Sequence, residues 1–503
     1  MRLVATALLL ALPALPQQPS PAPVPNAPYS LRANARIVVL DVVVVDRKGQ
    51  PVTNLQKDDF QVYEEKQPQT VTSFESPAVH PVPPSATINS TADLDRLAPQ
   101  SPVNIIVLDE LNSRFEDEAF TRYSLQKYLS RQPDKLNAPT TLIAVSMHKF
   151  NVLVDYTQDK SAILNALQHH TAANPWQVGS RSWAGEQFSS AFSALMQVSQ
   201  ATAGHPGHKN MIWIGRGFPT LRLDKISVED QDRLKTAIDN CVNMLRDSRV
   251  TLYTIDPRGV STETATDEDG VDVEDPFGGN VQFNAAAAAT GGKAFFGRND
   301  VDAEIGTSIR DGASFYTLTY KPSNADEARR PFRGIRVRMK DPNLHAITRE
   351  GYYLAKAPDE APTKKVVAAN TQRMLVDLSS AMRTTLVYDG VPIRIDRDPT
   401  EPNVLHARFL PENADWTDNG PKENRSLKFE VVTVVFDKKN KAYGQAGKGI
   451  VASALPIAQN PTPASVDYRF SLPAAPNATR LRVIVRIDSS GKIGATNFDL
   501  AGK

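Results

Sequence analysis

The stretch Val103–Ser113, Val-Asn-Ile-Ile-Val-Leu-Asp-Glu-Leu-Asn-Ser, constrains the fold most. Five of its first six residues are apolar, four of them β-branched, and the run stops abruptly at Asp109. An apolar run without alternation predicts a strand buried on both faces, the centre of a parallel sheet. Residues 116–131 follow with roughly helical spacing of Phe120, Tyr123, Leu125, Tyr128 and Leu129, so the strand feeds a helix. In open α/β sheets ligands bind beyond the carboxyl ends of the strands. That rule puts Asp109, Asn112 and Ser113 where a site belongs.

The alternation continues to residue 312. Strands are expected at Thr140–Met147, Asn151–Tyr156, Asn210–Ile214, Val250–Ile255 and Ala294–Phe296. Helices are expected at Ser161–His169, Phe188–Ser199, Val228–Asp247, Phe283–Thr290 and Asp300–Asp311. Residues 103–312 therefore read as a doubly wound, Rossmann-like sheet covered on both faces. On either side the period changes to two. Arg36–Asp46, Asp58–Glu64 and Val71–Phe74 precede the α/β segment, and Ser314–Lys321, Phe332–Met339 and His345–Tyr353 follow it. The first group has too few strands to be stable alone. The expectation is one β-sandwich built from residues 36–75 and 313–355, with the α/β domain inserted between them. Residues 76–102 are proline-rich and read as a linker, and 356–387 as a linker with a helix at Val366–Met382. Residues 388–503 hold closely spaced strands, an all-β domain that reads as a second sandwich.

A chain of 503 residues suggests about three domains. With 57 basic and 56 acidic residues, nothing steers it to nucleic acid or an anionic surface. Arg2 followed by the apolar run Leu3–Leu15 reads as a secretory signal peptide over residues 1–16, too short to span a bilayer. Residues 17–35 form a proline-rich tether. The expected location is secreted or periplasmic, with no membrane span. Cys241 is the single cysteine, so no disulfide closes within the chain, and its apolar helical setting makes it a core residue.

A set of motifs runs through residues 36–355 in one order. It comprises Val52-Thr53-Asn54-Leu55 with Asp59-Phe60-Gln61-Val62-Tyr63-Glu64, then Asn210-Met211-Ile212-Trp213-Ile214 and Leu252-Tyr253-Thr254-Ile255-Asp256-Pro257-Arg258-Gly259. Thr290-Gly291-Gly292-Lys293-Ala294-Phe295 and Gly351-Tyr352-Tyr353 complete it. With the sheet core, this set resembles the von Willebrand factor A domain, more narrowly the VWFA-related proteins of bacteria such as Acidobacteria. The resemblance implies a protein-binding, adhesion-type domain. It also implies a divalent-cation site with an Asp-x-Ser-x-Ser loop after the first strand, a later Thr and an Asp after the fourth strand, an all-oxygen set suited to a hard cation. Asp109 and Ser113 fall on the first and last loop positions, Leu111 replaces the middle Ser, and Asn112 is a substitute oxygen. Arg216 occupies the later Asp position, and Ser180 and Ser182 are the nearest hydroxyls. The expectation is a degenerate site, empty of Mg²⁺ or Ca²⁺, in which Asp109 pairs with Arg216. Asp109, Ser113, Arg216 and Asp256 then form the binding surface.

Other chemistry is thinner. Asp267-Glu268-Asp269-Gly270 with Asp272, Glu274 and Asp275 has alternate carboxylates but no closing Glu, and reads as a solvated loop at the same sheet end. His169-His170 and the pair His205 and His208 lack further ligands at metal spacing, and the Ala285–Ala289 run is helix packing. Neither a phosphate loop nor a Gly-x-Ser-x-Gly elbow occurs. The reading is a non-enzymatic binding protein with no cofactor and a protein partner. An envelope hydrolase using the sheet-end carboxylates, or a purely structural envelope component, are the alternatives.

Overall fold

The computed structural model describes residues 37–111, 113–146, 150–172, 184–217, 221–222, 228–259, 280–281, 283–323, 332–353, 364–409, 416–420, 422–439, 441–460, 465–472 and 477–500. The expected signal peptide, the tether and the acidic loop at 267–275 lie outside these residues.

The apolar runs assemble where their patterning predicts. Before them come strands β1 (Val38–Val45), β2 (Phe60–Glu64), β3 (Gln67–Gln69) and β4 (Val71–Glu75) and helix α1 (Thr91–Leu97). The α/β body holds β5 (Val103–Asp109), α2 (Phe115–Ser130), β6 (Lys135–Val145), β7 (Phe150–Asp159), α3 (Lys160–His169) and α4 (Ala184–Ala201). It continues with β8 (Lys209–Ile214), β9 (Leu221–Arg222), α5 (Val228–Asp247), β10 (Val250–Ile255), β11 (Asn280–Val281), α6 (Phe283–Ala289), β12 (Ala294–Phe295) and α7 (Val301–Ala313).

Its sheet has the order β12-β10-β8-β5-β6-β7, parallel except for β7, which runs antiparallel at the edge. Counted from β5, this is the doubly wound order 3-2-1-4-5-6, whose direction of growth reverses between β5 and β8. The unbroken apolar runs have a direct cause. Val103, Ile105, Val107, Met211 and Trp213 enter the core on one face, and Ile106, Leu108, Ile212 and Ile214 enter the core on the other. α2, α3 and α7 cover the second face with Leu125, Leu129, Ile163, Leu167, Val301 and Ile305. Each such buried side chain contributes about 1.5–3 kcal/mol.

After the body follow β13 (Phe315–Tyr320), β14 (Phe332–Met339), β15 (His345–Ile347) and β16 (Gly351–Tyr353). β13 pairs antiparallel with β1 and β4, and β14 pairs with β2. The two resulting sheets, β15-β1-β13-β4 and β16-β14-β2-β3, share a core of Leu40, Val42, Val44, Val62, Tyr316, Leu318 and Tyr352. Segments from both sides of the α/β body thus form one sandwich. Residues 345–353, expected as one strand, are split between its two sheets. Residues 76–102 also differ from the expected linker. Ser90 caps α1 by accepting from the Asp93 amide at 3.1 Å, and Ala86, Ile88, Leu94 and Ala98 are buried in the core of the α/β body. The prolines hid a short helix that tertiary burial stabilises.

α8 (Lys364–Arg383) leads into β17 (Tyr388–Asp389), β18 (Ile393–Arg397), β19 (Val404–Phe409), β20 (Arg425–Phe436) and β21 (Ala442–Ala454). β22 (Val466–Ser471), β23 (Arg480–Ile487) and β24 (Ile493–Asp499) complete the chain. A five-stranded sheet, β17-β24-β23-β20-β21, packs on a three-stranded one, β18-β19-β22. α8 lies on the outer face of the larger sheet. Arg482 Nε donates to the Ala381 carbonyl at 2.7 Å, and Arg486 pairs with Asp377 at 3.0 Å. Among the described residues no helix is long and apolar enough to cross a membrane.

The sandwich grips the amino-terminal end of the parallel sheet. Asp41 in β1 accepts from Arg249 Nη2 at 2.6 Å and contacts His208 Nδ1 at 2.9 Å, and these residues immediately precede β10 and β8. Asp389 in β17 accepts the Gly204 amide at 2.7 Å near the same end. Asp109, Gly215 and Asp256 therefore lie at the opposite end of their strands.

Candidate functional site

Cross-strand register sets the geometry at the carboxyl end. Leu108 is opposite Ile214, so the chain leaving β8 at Gly215 passes Asp109 directly. Gly215 has φ 149°, and a Cβ there would lie 2.2 Å from the Asp109 Cβ. Only glycine allows this approach. Gly217, at φ 65°, then turns its amide onto the carboxylate. Asp109 Oδ2 accepts from Gly217 N at 2.7 Å and from Trp213 Nε1 at 3.1 Å, while Oδ1 accepts from Leu111 N at 2.9 Å.

The expected Asp109–Arg216 ion pair is not formed. The backbone around Gly215 brings N–H groups, not the guanidinium, to Asp109. Arg216 is half-buried instead among Arg258, Asp117, Asp256 and Arg114; burial and then the Arg258 charge lower its pKa. Asp256 is held by Arg258, whose Nη2 donates at 2.5 Å and whose amide donates at 3.1 Å. Ser113 is buried at the head of α2. Asn112, Ser180 and Ser182 lie outside the described residues.

At the positions where the resemblance implied oxygen ligands stand Leu111 and Arg216, and the half-buried guanidinium of Arg216 beside Asp256 opposes a dication at this sheet end. Among the described residues no group of three or more His, Cys, Asp or Glu side chains is arranged to hold a metal ion. Alanine at position 215 is expected to lower stability by about 1–3 kcal/mol, because its Cβ must displace Asp109 in a packed interior. Urea denaturation of Gly215→Ala measures this, and an unchanged midpoint would contradict the described approach.

On the α2 side of β5 the structure opens a small cleft that the sequence reading missed. Leu108, Asp109 and Ile214 form its floor, and Glu118, Thr121 and Arg122 of α2 form one wall. Glu110 and His170 line it together, with His170 Nε2 in hydrogen-bond contact with Glu110 Oε1. Arg122 Nη2 donates to the Leu167 carbonyl at 2.6 Å and also to the His170 carbonyl, which fixes the end of α3. Glu118 is 8 % exposed, and its Oε1 is buried without a hydrogen-bond partner. Burial, with the carboxylates of Glu110 and Asp109, pushes Glu118 up to about 8.

A signal for Glu118 exists in the sequence. It lies on the inward stripe of α2 with Thr121, Leu125 and Leu129, at offsets of three, seven and eleven residues. Its neighbours Glu116 and Asp117 made it look like ordinary helix-start charge. His170 joins this cleft, whereas His205 and His208 belong to the buried junctions at the other sheet end. Cys241 is buried in the core, which pushes its thiol up to about 12.

No protein-family model matches the chain, and no curated protein matches it. Among solved structures, proximal thread matrix protein 1 (PTMP1) from the mussel byssus is similar at TM-score 0.26 and 12 % identity, over 44 % of this chain and 49 % of that one. The SpRpn10 VWA domain is similar at TM-score 0.17 and 13 % identity, over 31 % of this chain and 88 % of that one. The capsular polysaccharide assembling protein CapF from Staphylococcus aureus gives TM-score 0.15 and 10 % identity, over 78 % of this chain and 94 % of that one. The chain spans about half the length of the first of these structures. Its own sheet topology makes the chain a mixed α/β protein with several sheets, one of them a largely parallel doubly wound sheet.

Proposed function

We propose that the chain is a secreted or periplasmic protein-binding protein whose von Willebrand A-like α/β body meets its partner at the carboxyl end of the sheet, without a bound cation. The observation that carries this reading is the position of the polar cluster. Asp109, Arg216, Asp256 and Arg258 gather beside the point where the strand order reverses, the place where open α/β sheets bind ligands. The half-buried Arg216 beside the exposed Arg258 is the kind of anchor that concentrates binding energy at interfaces.

The test is capture of envelope proteins on the immobilised chain, in magnesium and in chelator. One protein is expected to be retained equally in both buffers, lost with Arg216→Glu and kept with Lys439→Glu on the C-terminal domain. Retention insensitive to Arg216→Glu would move the interface elsewhere. Capture abolished by chelator would restore the cation, and no specific capture would favour the structural role. The rival hydrolase reading draws on Glu118, a carboxylic acid held near neutrality in a cleft. Turnover of an ester, amide or glycoside that Glu118→Gln abolishes would favour it.

A further inference from the structure

The larger C-terminal sheet ends in an open edge. β21 is the last strand of the order β17-β24-β23-β20-β21 and pairs only with β20. Register shows which of its backbone groups are left over. Asp488 N donates to the Lys428 carbonyl at 3.0 Å, so Lys428 turns its backbone groups to β23 and Phe429 turns its own to β21. Phe429 is opposite Ile450, so Ile450 bonds inward, and Gly449, Val451 and Ser453 point their N–H and C=O groups outward. Among the described residues these outward groups have no partner. Sheet edges are normally kept short, bulged, or blocked by proline and charge. β21 is 13 residues long, holds no proline and carries one charge, Lys448. Its register shift lies at the far end, between Val435 and Phe436 of β20. Val451 on the edge is 66 % exposed and Leu455, one residue past it, 51 %.

We propose that this edge pairs with β21 of a second copy of the chain, antiparallel about a two-fold axis at Val451, so that two five-stranded sheets become one. Such an axis sets each residue opposite its mirror position, and charge selects among the registers. Centred on Lys448, the two ammonium groups would stand directly opposite each other, which is destabilising. Centred on Val451, the two exposed valines meet, a favourable β-branched pair, and Lys448 falls opposite Ala454 of the second copy. Order selects a second copy over a loose peptide. β21 is already held extended by β20, whereas a free segment would have to be ordered first. The overlap of residues 448–454 gives about six backbone hydrogen bonds, at the lower end of a typical interface. At about 3.4 Å per residue and a layer about 10 Å thick, it buries roughly 500 Å² over both copies. A stable dimer needs about 1,200 Å² or more, so the pair is weak and concentration-dependent.

Sedimentation velocity of the full chain over a concentration series tests the association. The native chain is expected to pass from monomer to dimer with a Kd of roughly 50–500 µM. Val451→Pro removes an outward N–H without touching the pairing with β20, and is expected to weaken the dimer by about tenfold or more. Cross-linking with copper phenanthroline tests the register. Val451→Cys is expected to give a disulfide-linked dimer, because directly opposite Cα atoms lie about 5.5 Å apart. Ser453→Cys is exposed on the same edge, but its counterpart is out of register by about 14 Å, so it is expected to stay monomeric under the same oxidation. The native Cys241 is buried and does not compete. A chain that is monomeric throughout overturns the second copy as occupant. A dimer that Val451→Pro leaves unchanged overturns the edge, and equal cross-linking of the two cysteine variants overturns the register. If Val451→Pro fails to fold, the contrast between the two cysteine variants still decides.

Discussion

Asp41→Ala is expected to lower the unfolding free energy by about 3–5 kcal/mol, read from denaturant midpoints, because it strips the counter-charge from a buried guanidinium. Asp41 is buried at the junction of the sandwich and the α/β body. It accepts from Arg249 Nη2 at 2.6 Å and Nε at 3.2 Å and from Thr317 Oγ1 at 3.1 Å, and contacts His208 Nδ1 at 2.9 Å. His208 is also packed on Phe315, with ring centroids 4.5 Å apart. Burial alone would raise the Asp41 pKa, but the Arg249 charge and the His208 hydrogen bond outweigh it and hold the carboxyl well below its usual range. Its contribution is therefore present above the unfolded pKa of about 4 and is lost as pH falls through the depressed folded value.

Acid sensitivity begins earlier than that. Burial lowers the pKa of His208, and burial with the Lys209 charge brings His205 down to about 4. Both imidazoles charge more readily in the unfolded chain. The two histidines thus contribute a loss of stability as pH drops below about 6.5, His205 until about 4, against the opposite contribution of buried carboxyls such as Glu118, raised to about 8; comparing the pH profile of the native chain with that of His205→Gln isolates the histidine part. Identical pH profiles for the native chain and His205→Gln between pH 7 and 5 would show that this histidine is not buried as described.

Glu64→Ala is expected to cost a comparable amount, about 3–5 kcal/mol, by leaving Arg333 charged in the sandwich core. Glu64 and Arg333 are 0 % and 3 % exposed at their side chains, with Arg333 Nε donating at 2.5 Å. Tyr320 Oη donates to Glu64 at 2.6 Å and Tyr352 Oη at 3.0 Å, and burial with the Glu64 hydrogen bond pushes the Tyr320 phenol up. A chain carrying both Glu64→Leu and Arg333→Met is expected to recover most of the loss, since removing both charges leaves none stranded. Equal instability of the single and double variants would place the cost in packing instead.

Patterning explains why the α/β core is readable from sequence and its junctions are not. β5, β8 and β10 announce themselves because burial on both faces leaves no polar alternation. The joint sandwich is readable because β1, β2 and β4 are too few to bury their own faces. The pairing of Asp41 with Arg249 joins residues 208 positions apart, and local periodicity carries no trace of it. The same holds for Asp109. Its charge and place suggest a cation or an arginine, but among the described residues two backbone amides and an indole donate to it, brought close by the turn at Gly215. Helix α1 was hidden because prolines around it read as a linker, whereas Ile88 and Leu94 are fully buried.

The nested sandwich has a consequence for the order of folding. β4 ends at Glu75, and its partner β13 begins roughly 240 residues later at Phe315. At about 5–20 residues per second, β1 to β4 wait roughly 10–50 s during synthesis before their partners exist. Closing a flexible loop of that length costs about 5 kcal/mol in chain entropy. The α/β body removes most of this cost if it folds first and holds residues 75 and 315 side by side. It acts as a template for the strands on either side of it. Lesions in the body that slow its folding should therefore prolong the exposure of the apolar β1 run Val42–Val45, and aggregation would begin there, far from the altered residue.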